Sequence, residues 1–463
     1  MKPCVRFAPS PTGEPHLGFA RTALFNFLFA RNKGGQFLLR IEDTDLERSK
    51  KQYIDQIIDA LEWLGFNWDL EVFYQSKRTS NYKKYLQNLL DQGKAYRCFA
   101  DKAELQKIRR QTGSYNYNGL WRNRSDDEIQ EQLNEGKPYT LRLKTPVDGS
   151  VQFKDMIYGD IIVSNFEIDD FIIARSDGSP VYNFTNVIDD LDMGITHVIR
   201  GEDHISNTPK QIQIYKALRM DIPEFAHLPM ILGEDKKRLS KRHGATSVLA
   251  YRDKGYQPEA LINYLALLGW NPGTKEELMN LDQLISKFKF SRVQKKSAVF
   301  DPQKLEWISS KYILKEDSNI ILRLIREINP NWGLNKDDFY CKKVINIMRP
   351  RCKSIPEFIS NSEYFFSDPK ISSLNKQENI LKDLNKVITT ETIELFDSLE
   401  TWDKRSLEQI FNKFLEKTSF SFGKVMRPMR LSISGRLNGP SLFEIMEILG
   451  KTSSIRRLKS TLI

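Results

Sequence analysis

The sequence predicts an α/β protein whose parallel sheet is interrupted by a strand-rich stretch and followed by a helical final third. Three observations carry that prediction: a complete strand–helix–strand unit within residues 5–48, alternating strand patterns over residues 100–182 with a return to α/β character after 186, and the loss of strand alternation beyond 250.

In the opening unit the apolar runs at 5–8 and 37–41 read as buried parallel strands. Residues 19–32 read as the helix joining them, with Leu24, Phe25, Phe27, Leu28 and Ala30 crowding one side. The turn before that helix holds Pro9, Pro11, Gly13, Pro15 and Gly18, which fixes the backbone and keeps large side chains away from the helix start. Backbone N–H groups and the helix dipole favour an anion there, and His16 is a donor placed to meet phosphate charge. A lone His-x-Gly would signify no more than a tight crossing. Here both strands end in polar clusters, Ser10 and Thr12 after the first and Glu42, Asp43 and Asp45 after the second, where open parallel sheets take their ligands.

The chain continues with an amphipathic helix over 50–64, carrying Tyr53, Ile57, Ile58, Leu61 and Leu64 at helical spacing, another over 80–92, and a third strand over 94–99. Within 100–182 the segments YTLRLK, VQFKD, DIIVSNF and FIIAR read as strands, and DDFIIARSDGSPVYN as a hairpin turning at DGSP. Strands at 197–200 and 227–232 flank a helix over 207–218, whose start is marked by Asn207, Thr208 and Pro209. Beyond 250, ALINYLALLGW and LISKFKF read as helical, a basic-aromatic segment covers 287–296, and the sequence from 325 onward is Lys-rich, Asn-rich and helical.

Lys and Arg outnumber Asp and Glu by 70 to 60, a surplus of +10 that is compatible with a polyanionic partner. Hydrophobic residues at 40% and charged residues at 28% describe an ordinary globular chain. No window has the apolar length of a membrane span, and strand-forming sequence begins at residue 5, leaving no room for a targeting peptide. The expectation is a cytoplasmic protein with no membrane partner, or one whose targeting segment precedes this chain. Cysteines at 4, 98, 341 and 352 form no CxxC pair, so neither a disulfide framework nor a zinc site is evident. No Ser/His/Asp or Cys/His constellation supplies a nucleophile.

PSPTGEPHLGFA followed by LRIEDTDLER resembles the nucleotide-binding signature of class I aminoacyl-tRNA synthetases in its glutamyl form. His16, Leu17 and Gly18 stand at the His-hydrophobic-Gly-His signature, with Phe19 at its last position. NVIDDLDMGITHVIRGEDHISNTPKQ is similar to the second half of that catalytic fold. In DKKRLSKRHGA, five basic residues in eight would otherwise mean a solvated loop. Arg238, Leu239, Ser240, Lys241 and Arg242 match the family's Lys-Met-Ser-Lys-Ser loop in its Lys-Leu-Ser-Lys-Arg variant, with Arg238 for the first lysine. GPSLFEIMEILGKTSSIRRLKSTLI resembles the end of the bacterial anticodon-binding region.

The resemblance implies a Rossmann-like class I synthetase catalytic domain in two halves, 1–99 and 183–234, around an α+β acceptor-end-binding insertion at 100–182. A Lys-Met-Ser-Lys-Ser-type loop and stem-contact domain would occupy 235–324, and an all-helical C-terminal anticodon-binding region 325–463. It further implies that glutamate is activated with ATP to glutamyl-adenylate and transferred to the 3'-terminal ribose of tRNA(Glu). Catalytic roles fall on His16 and Lys241, and ATP binding on His16, Gly18, Arg238, Ser240 and Lys241, with Mg²⁺ accompanying ATP. Arg6, Ser10, Glu42, Tyr182, Asn186 and Arg200 would surround glutamate, Glu42 taking the α-ammonium and Arg200 the side-chain carboxylate, which a bidentate guanidinium reads best. Arg351, Arg430 and Pro440 are candidates for the anticodon surface. Some glutamyl enzymes hold zinc through cysteines near 98; here Cys98 is accompanied by Ala100 and Trp121, so no zinc is expected.

An enzyme that also glutamylates tRNA(Gln) fits the same motifs, and a monomer is the default assembly. A glutaminyl enzyme would carry β-barrels where this chain reads helical, and a shortened paralogue acting on a modified tRNA base would lack the final third. A catalytically silent tRNA-binding paralogue is the alternative of another class, against which His16, Glu42 and Lys241 all stand.

Overall fold

The computed structural model describes residues 2–45, 47–112, 117–239, 247–369, 390–418 and 421–460. They divide into two compact units, Met1–Tyr251 with Leu261–Pro302, and Arg252–Ala260 with Gln303–Ile463. No helix among the described residues is long and apolar enough to cross a membrane.

In the first unit, β1 (Cys4–Phe7) is buried at all four positions, as a strand covered on both faces must be. The chain crosses through α1 (Leu17–Asn32) to β2 (Gln36–Ile41), which lies parallel to β1 with Leu38 opposite Arg6. A Cβ at Gly35 would stand 2.1 Å from the Pro3 carbonyl oxygen, so only glycine allows this return. Helix α2 (Lys51–Trp63), the short β3 (Phe73–Tyr74) and α3 (Thr79–Asp91) follow. Then come β4 (Ala95–Cys98), α4 (Lys102–Thr112), α5 (Asp126–Asn134), β5 (Thr140–Leu143), β6 (Ser150–Asp155), β7 (Gly159–Ser164) and β8 (Ile172–Ala174). Helix α6 (Tyr182–Asp192), β9 (His197–Gly201), α7 (Thr208–Leu218), β10 (Glu224–Leu228), β11 (Ile231–Leu232) and β12 (Ala298–Val299) complete the framework.

Seven strands form one sheet in the order β3-β2-β1-β9-β10-β6-β7, parallel throughout except for the β6/β7 hairpin at one edge. Helix α1 is buried over nearly its whole circumference because it is covered twice. Phe27 meets Phe37 of the sheet at 5.6 Å between rings, while Phe25 and Phe29 meet Phe288 and Phe290 at 5.3 and 5.0 Å. The next residue of β2, Leu38, points the other way and joins the core made with α3, α6 and α7 through Tyr82, Phe184, Ile212 and Tyr215. From β1 the chain runs outward to β2 and β3 and resumes at β9 on the opposite side of β1. The ends of β1 and β9 therefore flank a topological switch point, the place where such sheets bind ligands.

Two sequence expectations are corrected. The strand at 94–99 does not extend the parallel sheet; β4 pairs antiparallel with β5, which pairs with β8, and the parallel sheet's third strand is β3. Alternation shows that a strand has two faces but not which partner it takes. The hairpin turning at DGSP is present but short: the Arg175 N–H donates to Ser179 at 2.8 Å and the Val181 N–H to Ile173 at 3.1 Å around the Ala174–Pro180 bridge, and α6 begins at the next residue, Tyr182. The strand at 227–232 is two: β10 ends before Pro229, and β11 leaves the sheet to pair with β12.

The described part of the second unit is helical from Ser318–Ile328 to Lys451–Lys459. Its core gathers Trp332, Phe358, Phe365, Phe396, Phe411 and Met446. Arg457 is buried in it, donating to the carbonyls of Ile433 and Tyr364 at 2.6 and 2.8 Å and to Asp368 at 3.0 Å. Such a guanidinium, saturated by acceptors from several segments, pins the last helix.

Candidate active site

The C-terminal ends of β1, β2 and β9 open onto a cleft of about 970 Å³ lined by Arg6, Ser10, His16, Glu42, Tyr182 and Arg200. Gly18, Asn186 and Arg238 also line it, so every predicted site residue of the first unit that is described faces one cavity. Ser240 and Lys241 lie outside the described residues.

His16 caps α1 with its own ring: Nδ1 accepts the Phe19 N–H at 3.1 Å. In the neutral ring the proton then sits on Nε2, leaving a donor for an anion. A Cβ at Gly18 would come within 3.1 Å of Nδ1, which is the physical reason for the His-x-Gly spacing. The ring reaches solvent at the cleft mouth, yet desolvation by the walls and then the charge of Arg238 hold its pKa below the ordinary value. Phe19 is buried on Phe7 at 4.7 Å and belongs to the core.

Beneath the cleft, Asp190 of α6 accepts from Arg6 Nε at 2.9 Å and Arg40 Nη1 at 2.5 Å. Arg40 Nη2 reaches Glu42 at 3.2 Å, and Asn186 Nδ2 donates to the same carboxylate oxygen at 2.9 Å. Burial alone would raise the pKa of Asp190, but Arg6 and Arg40 hold it below the usual range. Glu42 is pushed up by burial, against the pull of Arg40 and Arg6. This cluster presents a fixed carboxylate at the end of β2.

Arg200, at the end of β9, donates from Nε to His227 at 3.2 Å and from Nη2 to Thr208 at 2.7 Å, while its Nη1 is buried without an acceptor. Opposite it, His204 Nδ1 accepts from the Tyr182 hydroxyl at 3.2 Å and from Asn207 at 3.3 Å. Burial, then the charge of Arg200, pushes His204 down to about 4. A histidine depressed in the fold keeps its contribution above the unfolded value of 6.5 and loses it as pH falls toward 4. The thermal midpoint is therefore expected to drop through that window, with a shallower slope in His204→Asn; an unchanged slope would show that His204 does not stay neutral.

The segment bearing Ser240 and Lys241 is anchored at both described ends. On one side Leu239 donates to Ile231 at 3.0 Å, and Arg238 lies 3.7 Å from Asp203. On the other, Ser247 is bridged to His16, and Val248 donates to the Pro15 carbonyl at 2.8 Å.

Sequence reasoning missed Arg40, Asp190 and His204. A signal existed for the first two: Arg40 interrupts the apolar strand QFLLRI, and the Asp189-Asp190 pair falls among the apolar residues Val187, Ile188 and Leu191 of the predicted α/β region. Charges in buried elements require opposite charges as partners.

In the second unit, Arg430 Nη1 donates to the Pro440 carbonyl at 2.7 Å. Burial and then Arg351 weigh on the charge of Arg430, with Tyr364 acting the other way, so Arg351, Arg430 and Pro440 share one neighbourhood. No group of three or more His, Cys, Asp or Glu that could hold a metal ion is present among the described residues. The Cys98 thiol donates to the Tyr117 hydroxyl at 3.4 Å, and that oxygen also accepts the Trp121 N–H at 2.8 Å.

Residues 3–307 match the family model described as tRNA synthetases class I (E and Q), catalytic domain, and residues 323–462 match an anticodon binding domain. Glutamate–tRNA ligase 1 of Caldanaerobacter subterraneus is 45% identical, with 98% of this chain and 96% of that protein covered. The glutamate–tRNA ligase of Thermodesulfovibrio yellowstonii is 43% identical over 98% of each. A crystal structure of a glutamate tRNA ligase from Elizabethkingia meningosepticum in complex with its amino acid superimposes with a TM-score of 0.89 at 33% identity, covering 100% of this chain and 99% of that one.

Proposed function

Because the chain belongs to the class I tRNA synthetases of the glutamate and glutamine branch, we infer that it is a glutamate–tRNA ligase, joining glutamate to tRNA at the expense of ATP. The observation that carries the choice of amino acid is the pairing, within one cleft, of a buried guanidinium nitrogen without an acceptor, Arg200 Nη1, and a buried carboxylate, Glu42. An amino acid with a second carboxylate satisfies both ends at once. Glutamine would leave the Arg200 charge underpaired, so no editing site is required.

Glu42, steadied by Arg40 and Asn186, takes the α-ammonium; Arg200 takes the side-chain carboxylate; Arg6, Ser10 and Tyr182 close around the rest. His16 Nε2–H meets the phosphates at the start of α1, where the helix dipole favours an anion. Lys241, with Arg238 and Ser240, neutralises the charge that grows on the α-phosphate as the glutamate carboxylate attacks it and pyrophosphate leaves. Mg²⁺ would accompany ATP. The acyl group then passes from the adenylate to the terminal ribose hydroxyl of tRNA(Glu), releasing AMP, with Arg351, Arg430 and Pro440 on the anticodon-reading surface.

Purified protein is expected to exchange pyrophosphate into ATP with glutamate and tRNA(Glu) present, and to charge that transcript with glutamate but not glutamine. tRNA binding without charging would favour the silent paralogue instead. A tRNA(Gln) transcript in the same assay defines the range of acceptors.

A further inference from the structure

Arg200 is not held by cleft residues alone. Strands β9 and β10 are parallel neighbours in which His227 stands in register with Arg200, and His227 and its partner Asp155 are both fully buried behind the guanidinium. Asp155 is the last residue of β6. Its Oδ1 accepts the backbone N–H groups of Ile157 and Tyr158, both at 2.9 Å. Its Oδ2 accepts the His227 backbone N–H at 3.1 Å and lies 2.7 Å from His227 Nδ1. A carboxylate facing only donors obliges Nδ1 to carry the ring proton, which leaves Nε2 as an acceptor. That nitrogen lies 3.2 Å from Arg200 Nε, with Thr208 Oγ1 at 3.1 Å, and Thr208 also accepts from Arg200 Nη2. The guanidinium fork is thus saturated from behind, and Nη1 is the corner left unfilled.

We propose that Asp155 and His227 are positioning residues for substrate specificity: Asp155 fixes the His227 tautomer, and His227 fixes the Arg200 guanidinium so that its free corner receives the side-chain carboxylate of the amino acid. This rests on the reading above that Arg200 is the receptor for that carboxylate. The relay reaches Arg200 from the edge hairpin, and none of its first two members lines the cleft. Burial keeps His227 below its ordinary pKa, so the ring remains neutral and Nε2 remains an acceptor at working pH.

Asparagine at 155 reverses the polarity. With its oxygen toward Ile157 and Tyr158, its amide donates to Nδ1, the ring proton moves to Nε2, and a donor then faces the Arg200 Nε–H. Asp155→Asn is expected to raise KM for glutamate about tenfold or more, with KM for ATP unchanged and kcat reduced far less. Equal losses for both substrates would mean a general packing role and overturn the proposal. In an Arg200→Lys background, which has no Nε–H to hold, the effect of Asp155→Asn on glutamate KM should vanish; full additivity overturns the relay. If Arg200→Lys alone leaves glutamate KM unchanged, the reading of Arg200 falls and the relay loses its object. A raised KM in Arg200→Lys with none in Asp155→Asn removes the relay alone. Should the 155 variant not fold, ¹⁵N shifts of histidine in the unaltered protein decide: His227 protonated on Nδ1 supports the relay, and on Nε2 overturns it.

Discussion

Alanine at Lys241 is expected to slow glutamyl-adenylate formation by about 10²–10³-fold, or about 3–4 kcal/mol of transition-state stabilisation, while leaving tRNA affinity nearly unchanged. Charge on the α-phosphate is greatest as the carboxylate attacks, so a cation that meets it acts on the barrier more than on ground-state binding. The chain before and after the lysine is fastened to the cleft that holds His16, by Leu239 on Ile231 and by Val248 on Pro15, both through backbone hydrogen bonds. Single-turnover rates set beside tRNA dissociation constants make the test. Equal losses in the two would turn the loop into an RNA contact without a chemical role.

The largest stability effect is expected at Asp190. Replacing it with alanine strands the guanidinium groups of Arg6 and Arg40, both nearly inaccessible to solvent, with Glu42 and Asp189 as the remaining nearby anions. Removing one partner from such a buried cluster costs about 3–5 kcal/mol, because the charges left behind can neither pair nor hydrate. Urea denaturation should show a midpoint lowered accordingly with an unchanged slope. Asp190→Asn, which keeps an acceptor oxygen but loses the charge, should fall between alanine and the parent. A loss below about 1 kcal/mol for alanine would mean that Glu42 and Asp189 balance both arginines without it.

The parallel unit at the start of the chain was legible because two of its controls are local. Apolar runs show where strands are covered on both faces, and Pro and Gly mark the crossing, so β1, α1 and β2 fall within two residues of their expected ends. His16 and Gly18 were legible for the same reason, since the ring and the missing Cβ meet within one helical turn. What escaped was set by partners far away in sequence. Strand β4 took β5 rather than the parallel sheet, and Asp190 meets Arg6 and Arg40 across 184 and 150 residues. The relay behind Arg200 joins residues 72 and 27 positions apart, and no spacing rule links an aspartate at a hairpin turn to a histidine in another strand.

The hairpin of β6 and β7 also settles where this protein can be cut. Excising residues 100–182 as a block, for grafting onto another scaffold or for a minimal version, would strip β10 of its neighbour β6, which meets it at Phe225 and Asp155, and expose one side of a strand built for the interior. The stretch carrying α4 and α5, between β4 and β5, can leave without opening any ladder, since those two strands pair with each other across it. A chimera joined inside that stretch keeps the host sheet whole, and one joined at 100 and 182 does not.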